Sequence, residues 1–198
     1  MITGIVGLDL SMTCTGYARL DLEKDKLTIF TIKTNAKKEN IERCHYIAVT
    51  IRKAMQSNDL VFIEDYAYGV RKASQLATLG ELNGMVKYMM WKYTGRFTVP
   101  TPIGTWKKFL CNKGNLNKDG FKLEVFKKFN LDLGTNDECA AIAICDFGAC
   151  IAGVKERDFH KYELDKMKEF RKKYEKYLPG IEFSSTEKQL VKQGVRHG

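Results

Sequence analysis

The sequence predicts an α/β fold, in which a mixed sheet of five strands is flanked by helices and a C-terminal helical extension follows. Two features of the first 65 residues predict it. An apolar run and two alternating apolar and polar segments succeed one another between residues 2 and 34, which is typical of three antiparallel strands. A helical pattern and a second short apolar run come next, and a strand–helix–strand succession of this kind forms a parallel pair.

The stretch over residues 2–18 carries the first strand and a carboxylate. Residues 5–8 predict a strand that is buried on both faces, and residues 13–16 predict a tight turn into a second strand that starts at Tyr17. Asp9 ends the apolar run, and burying a bare carboxylate is costly unless a cation meets it. Asp9 therefore either meets a cationic partner or accepts hydrogen bonds from the amides of the turn.

Hydrophobic periodicity and turn residues predict the other elements. Composition becomes richer in Lys and Glu from residue 155 onward, so we predict one domain over residues 1–154 and a charged helical extension and tail over 155–198. The predicted elements are a hairpin of residues 17–22 and 27–34, a helix over 40–56, a strand over 60–63, a helix over 74–93, a strand over 97–99, a basic segment over 106–129, a buried helix over 138–151 and a charged helix from 155 to 178.

The composition favours a polyanionic partner. The chain has 198 residues with 33 Lys plus Arg against 24 Asp plus Glu, a net charge of +9. Such a surface attracts nucleic acid first and anionic membranes second, although a basic protein without such a partner would have the same charge. No apolar run approaches the roughly 20 residues of a membrane span, and no secretory signal begins the chain, so we expect a cytoplasmic protein. Six cysteines at scattered spacings predict reduced thiols and no zinc site.

A second carboxylate follows the second buried strand. Glu64 comes directly after residues 60–63, as Asp9 follows the first strand, and ligands of parallel sheets gather at the carboxyl ends of strands. Two carboxylates placed together repel unless a proton or a cation intervenes, so their pairing is a metal hypothesis. The alternative is a salt bridge from Glu64 to Arg71 or Lys72.

Two later segments have both structural and functional interpretations. The segment over 106–129 interleaves lysines with aromatic residues, a pattern that suits phosphate contacts and base stacking, but Phe109, Phe126 and Phe129 lie at helical spacing and core packing is the better explanation for them. Gly80 and Gly84 lie on one face of a predicted helix, where packing within the chain, a second subunit or a phosphate would each explain them.

Three motifs carry a resemblance to a known family. GLDLSMTCTGYA, VFIEDYAYG and NDECAAIAICDFGA resemble, in order and spacing, those of the RuvC-type Holliday junction resolvases of the RNase H-like superfamily, and bacteriophage members are the nearest match. The resemblance covers residues 2–152. It implies an RNase H-like fold and a homodimer that resolves four-way junctions, and possibly cuts other branched DNA, by two symmetric nicks. It also implies two Mg²⁺ ions per active site, for which Mn²⁺ may substitute.

The resemblance also implies site residues. Four acids hold the two ions in the family, and the matching positions here are Asp9, Glu64, Asp137 and position 140, which is Ala in this chain. Without the resemblance, the simpler interpretation is that Asn136 or Asp137 caps the buried helix. Lys113 and Lys118 resemble basic residues near the scissile phosphate and complete the predicted catalytic set. The residues expected to bind DNA are Arg71, Lys72, Lys107, Lys108, Lys113 and Lys118.

Ala140 is the departure from the family pattern. It occupies the position at which the family has an acidic metal ligand. The chain as written is therefore expected to bind junctions and to cleave them poorly. Either a natural member has lost activity, or an Asp has been replaced so that DNA is held uncut. Two other functions stay open: a non-catalytic junction-binding protein, and an actin-like ATPase, which would need a duplicated domain and a second phosphate loop.

Overall fold

The computed structural model describes residues 1–65, 73–112, 116–155, 157–178 and 180, and its strands form a five-stranded mixed sheet, as predicted. The strands are β1 Gly4–Asp9, β2 Cys14–Asp21, β3 Lys26–Lys33, β4 Leu60–Asp65 and β5 Val99–Pro102. Their order across the sheet is β3-β2-β1-β4-β5. β1, β2 and β3 are antiparallel, whereas β4 runs parallel to both β1 and β5.

Helices cover both faces of this sheet. On one face, α1 Asn40–Ala54 and α2 Ala73–Thr94 bury an apolar cluster that includes Leu8, Tyr17 and Ile63. The cluster on the other face includes residues of α3 Ile103–Cys111, α4 Lys118–Phe129, α5 Asn136–Ile151 and α6 Lys161–Tyr174. Across the described residues, no helix combines the length and the apolar character that crossing a membrane requires.

Helix α5 lies directly against the sheet. Every residue from Cys139 to Ile151 is buried, and the three cysteines among them are free thiols. A Cβ atom at Gly7 would overlap the Ala141 carbonyl oxygen, and a Cβ at Gly16 would overlap the backbone of Asp137. Glycine at these two positions therefore lets the helix backbone touch β1 and β2, which fixes the height and direction of α5 over the sheet.

A buried charge cluster joins α5 to α6 through Arg157, whose guanidinium lies 2.7 Å from Glu163 of α6 and 3.9 Å from Asp146 of α5. Asp146 of α5 is 5% exposed, and its carboxylate lies 2.6 Å from Lys155 Nζ and 3.2 Å from Lys128 Nζ. Burial by itself would raise the pKa of Asp146, but the two lysines and Arg157 outweigh burial and lower that pKa below its usual range. Arg171 of α6 also donates hydrogen bonds to the last two backbone carbonyls of α5. The C-terminal helix is thus packed into the same core as the sheet.

Three predicted strand boundaries are wrong, and the first is that β4 extends to Asp65 instead of ending at residue 63. β2 begins at Cys14 instead of Tyr17, because the Thr15 hydroxyl bonds both backbone groups of the residue four positions before it and closes the turn earlier. β5 covers Val99–Pro102 instead of residues 97–99. Proline cannot donate a ladder hydrogen bond, and the two prolines are tolerated because β5 is an edge strand.

The predicted cap of α5 is also wrong, because Thr135 caps the helix rather than Asn136 or Asp137. The Thr135 hydroxyl accepts a hydrogen bond from the Glu138 amide at 3.1 Å, and the Glu138 carboxylate accepts one from the Thr135 amide at 3.1 Å. This reciprocal capping box starts the helix at Asn136 and leaves Asp137 in its first turn.

One packing prediction is wrong as well, and one of three explanations for a pair of glycines loses support. Phe126 was predicted to lie in the core with Phe109 and Phe129, but it is 46% exposed, whereas Phe109 is fully buried and Phe129 partly so. In the described part of the chain, no atom lies within 4 Å of a Cβ built at Gly80 or Gly84. Packing among the described residues therefore does not explain these two glycines.

Candidate active site

The carboxyl ends of β1 and β4 bring two acidic residues to one edge of the sheet. These strands are parallel neighbours that pair Leu8 with Ile63, so Asp9 and Glu64 are the next residues on each strand. Neighbouring strands lie about 4.8 Å apart. Both residues are half-buried, and their side chains start from adjacent positions, as the sequence predicts.

Helix α5 adds a third carboxylate above the same edge. Asp9 pairs with Gly16 in the β1–β2 ladder, and the backbone of Asp137 rests on Gly16. The absence of a side chain at Gly16 therefore sets the first turn of α5 beside the end of β1. Asp137 is half-buried there.

The three carboxylates line one cleft of about 260 Å³. Its other walls come from the residues after β1 and from α3, α4 and α5, so five separate parts of the chain converge on it. The remaining lining residues are Leu10, Ser11, Ile103, Trp106, Lys107, Leu116, Asn117, Lys118, Phe121, Asn136 and Ala140.

Ala140 lies in the wall of the cleft. It is 6% exposed and comes three residues after Asp137, so the two positions share one face of α5. A carboxylate at position 140 would face the same space as the Asp137 side chain. The methyl group that stands there supplies no donor atom.

The donors in the cleft suit a divalent cation in kind, but they are not grouped around one point. Carboxylate oxygens are the ligands that Mg²⁺ prefers in proteins, and Mg²⁺ usually keeps several waters. Within the described residues, however, no three His, Cys, Asp or Glu side chains are grouped closely enough to hold one ion. Asn136 Oδ1 is buried without a hydrogen-bond partner among these residues, and it is a further oxygen donor at the cleft.

The thiol of Cys14 lies next to the third carboxylate. Burial first, and then a hydrogen bond to the Asp137 carboxylate and its negative charge, raise the pKa of Cys14 above its usual value. The Cys14 thiol is thus the donor of a hydrogen bond to the Asp137 carboxylate. The sequence does not predict this contact, since it places Cys14 in a turn and not at the first residue of β2.

The predicted basic residues divide into three groups. Lys107 and Lys118 line the cleft, and the Lys107 ammonium lies 5.6 Å from the centre of the Trp106 ring and 5.5 Å from that of Phe121. Lys108 is exposed outside the cleft. A hydrogen bond from Lys166 lowers the pKa of Glu169 of α6, and the positive charge of Lys108 helps to lower it. Lys113, Arg71 and Lys72 lie outside the described residues.

Two cleft residues that carry a buried polar atom without a partner in the described part of the chain are not predicted from the sequence. Trp106 Nε1 is buried without a hydrogen-bond partner among the described residues, as is Asn136 Oδ1. The signal for Trp106 was an aromatic residue inside a lysine-rich segment, but the sequence does not show which face of α3 meets the sheet edge. Asn136 was considered only as a helix cap.

No protein-family model matches the sequence, and no curated protein matches it either. Solved structures do match in fold. A Thermus thermophilus RuvC structure has a TM-score of 0.58 at 18% sequence identity, over 72% of this chain and 90% of that one. T. thermophilus RuvC in complex with Holliday junction substrate has a TM-score of 0.60 at 18% identity, with the same coverage.

The chain has a RuvC-like fold. The predicted RNase H-like architecture, with its mixed sheet and flanking helices, is thereby confirmed.

Proposed function

We propose that the chain is a metal-dependent endonuclease that acts on branched DNA, with the four-way junction as its main substrate. The observation that carries the proposal is the convergence of Asp9, Glu64 and Asp137 in one cleft of a RuvC-like fold. The substrate class is supported by the solved complex of T. thermophilus RuvC with a Holliday junction and by the net charge of +9.

In this proposal each cleft residue has a role. Asp9, central on the sheet, would hold both of two Mg²⁺ or Mn²⁺ ions, and Glu64 and Asp137 would each hold one. Two ions held there would supply activation of a water and stabilisation of the leaving 3′-oxygen of a phosphodiester. Lys107 and Lys118 would bind phosphates at the mouth of the cleft, and the apolar faces of Trp106 and Phe121 would limit the access of bulk water.

The chain as written should be impaired in cleavage. Position 140 is the place where the family resemblance puts a fourth acid, and Ala supplies no oxygen there. We propose that an active form of this site has Asp at position 140. A deliberate replacement explains the persistence of Asp9, Glu64 and Asp137 better than natural decay does, since a decayed site would be free to lose them as well.

A non-catalytic junction-binding protein is the second candidate. The Ala at position 140 favours it, together with the absence of any group of three metal-ligating side chains among the described residues. Both candidates predict junction binding, and metal-dependent cleavage separates them.

We further propose that the working form is a homodimer. A four-way junction has two-fold symmetry, and two symmetric cuts need two active sites related by the same symmetry. Gly80 and Gly84 on α2 give a surface on which the backbone of a second subunit could lie close. The division into a domain over 1–154 and an extension over 155–198, the cytoplasmic location and the kinship with bacteriophage members stay predictions.

One assay tests the proposed function. A labelled four-way junction, a fork and a linear duplex of matched sequence are titrated with the chain in Ca²⁺ and then incubated with Mg²⁺ or Mn²⁺. We expect tighter binding to the junction than to the duplex and slow cleavage near the branch point. Asp9→Asn should abolish that residual cleavage and keep junction binding. Equal affinity for all three DNAs, or cleavage that Asp9→Asn leaves unchanged, would contradict the proposal.

A further inference from the structure

A second cavity lies at the same edge of the sheet, beside β3. It has a volume of about 410 Å³ and lies between the end of β3 and the first turns of α1; we call it the β3 cavity. β2 and β3 pair Cys14 with Lys33, so the end of β3 lies at the Asp9 end of the sheet, two strand spacings or about 10 Å from β1. Its walls carry Lys33, Thr34, Asn35, Lys38, Arg43 and Tyr46, with Glu42 beside them.

The turn after Asp9 lies between the cleft and the walls of the β3 cavity. The same turn lines a further cavity of about 420 Å³, whose walls are Ser11, Met12, Thr13 and residues of the first turns of α2. Ser11 lines both this cavity and the cleft. On the other side, the Met12 carbonyl accepts hydrogen bonds from Arg43 Nη2 at 2.8 Å and from the hydroxyl of Thr34. The turn after Asp9 therefore borders all three spaces.

The β3 cavity has an excess of positive charge. Lys38 pairs with Glu42 at 3.3 Å on the exposed surface, an arrangement that neutralises little in water. Lys33 and Arg43 form no ion pair with any acid of the described residues. The Arg43 guanidinium instead binds oxygens of neutral groups, Thr34 Oγ1 at 2.9 Å and the Met12 carbonyl.

An aromatic ring completes the wall. The Tyr46 side chain is on α1 and lines the cavity, and the residue is 54% exposed, so it is accessible to a ligand. Proteins that bind single-stranded nucleic acid combine a basic groove along the backbone with aromatic rings on which bases stack. The β3 cavity has both features, and its volume is in the range of pockets that hold small ligands.

We propose that the β3 cavity is a DNA subsite, which holds the phosphates and one unpaired base of the strand that leaves the cleft across residues 11–13. The inference rests on the proposed function, since it takes the cleft as the place where a DNA strand is held. Lys33 and Lys38 bind phosphates, and Tyr46 stacks on the base. Because a stacked base must be unpaired, the subsite favours DNA that is single-stranded within a few nucleotides of the cleft, as at a branch point.

The test compares two triple variants of the full chain, each of which removes two lysines and one aromatic ring. Lys33→Ala, Lys38→Ala and Tyr46→Ala change the β3 cavity without touching the Arg43 contacts. Lys24→Ala, Lys26→Ala and Phe97→Ala are the matched control, since these two lysines are exposed at the opposite end of the hairpin and Phe97 is an exposed aromatic residue that precedes β5. Fluorescence anisotropy in Ca²⁺ gives the affinity of each variant for a four-way junction, a linear duplex and a thymidine oligonucleotide.

We expect the cavity variant to lose about tenfold or more in affinity for the junction and the thymidine oligonucleotide, and less for the duplex, because stacking needs an unpaired base. The control variant should match the unmodified chain. Equal affinities of the cavity and control variants overturn the subsite, and the proposed function stands if the junction is still preferred to the duplex. A loss on the thymidine oligonucleotide without any junction preference keeps the subsite and overturns the proposed function. Thermal unfolding of each variant shows whether a loss of affinity is due to misfolding. If the triple variant is misfolded, the affinities of the single variants Lys33→Ala and Tyr46→Ala decide whether the subsite exists.

Discussion

At position 140 a methyl group faces the cleft, one helical turn after the carboxylate of Asp137. The site is 6% exposed, so an acid there would be destabilising when it is ionised and no cation is near. Alanine avoids the cost of burying a charge, and it also supplies no oxygen that could bind a cation. The residue at position 140 therefore affects the capacity of the cleft to hold cations. It leaves the capacity to bind DNA unchanged, because Lys107 and Lys118 are not altered.

The contribution of the cleft lysines can be measured as a salt dependence. Replacing Lys107 and Lys118 together by Ala should weaken junction binding and reduce the slope of log affinity against log salt by about 2, because each phosphate contact that is lost releases about 0.9 fewer counterions. Binding titrations at several salt concentrations measure the slope. Lys24→Ala with Lys26→Ala is the control of equal charge. If the slopes of the two double variants agree, the cleft lysines are only a solvated surface.

At the scale of elements, two glycines determine where α5 lies. Gly16→Ala should push the first turn of the helix away from β2, since the added methyl overlaps the backbone of Asp137. We expect a loss of about 1–3 kcal/mol in the free energy of unfolding, as for other overpacked sites. Denaturant unfolding measures it. Gly104→Ala is the control, because that helical Cβ meets nothing within 4 Å and alanine favours the helix. Equal stability of Gly16→Ala and the unmodified chain would refute the close contact.

The Asp146 cluster should make the docking of α6 sensitive to acid. Its pKa is lowered in the folded protein, so the stabilisation is complete above the usual pKa of 3.8 and is lost as the pH falls through the lower folded value. Asp146→Asn should cost about 1–3 kcal/mol at pH 7, below the value for a fully buried pair because Lys155 is 41% exposed. Denaturant titrations from pH 7 to pH 3 should show this difference shrinking below about pH 4.

The matched control for that series is Glu169→Gln. Glu169 pairs with Lys166 at the surface of α6, and its side chain is 68% exposed, so little change is expected at any pH. A difference between Asp146→Asn and the unmodified chain that stays constant down to pH 3 would show that the cluster does not act through the charge of Asp146.

The sequence predicts those parts of the site whose position is set by neighbouring residues in the chain. Asp9 and Glu64 could be predicted because both end apolar strands, and parallel neighbours bring such ends together. The Thr135 cap was also readable, since Thr followed three residues later by Glu is the signature of a capping box. Trp106 and Asn136 could not be predicted, because the packing of α3 and α5 on the sheet decides that they line the cleft.

At the scale of the whole molecule, the open face of α2 predicts association. Sedimentation at micromolar concentration should give nearly twice 22.7 kDa. Gly84→Arg should shift the mass to that of one chain, because no described atom approaches this position within the monomer and a long charged side chain would block a close neighbour. Gly104→Arg serves as the control. A clean monomer of the unmodified chain, with and without junction DNA, would contradict the homodimer.

The most direct test of the four-acid centre is to restore the acid. Ala140→Asp should raise Mg²⁺-dependent junction cleavage by orders of magnitude and leave junction affinity in Ca²⁺ nearly unchanged. Its melting temperature should rise with Mg²⁺ more than that of the unmodified chain, because the ion offsets the repulsion among the acids. Single-turnover cleavage of one labelled junction by both proteins measures the difference. If the unmodified chain already cleaves as fast as Ala140→Asp, the site assigned to Asp9, Glu64, Asp137 and position 140 is wrong.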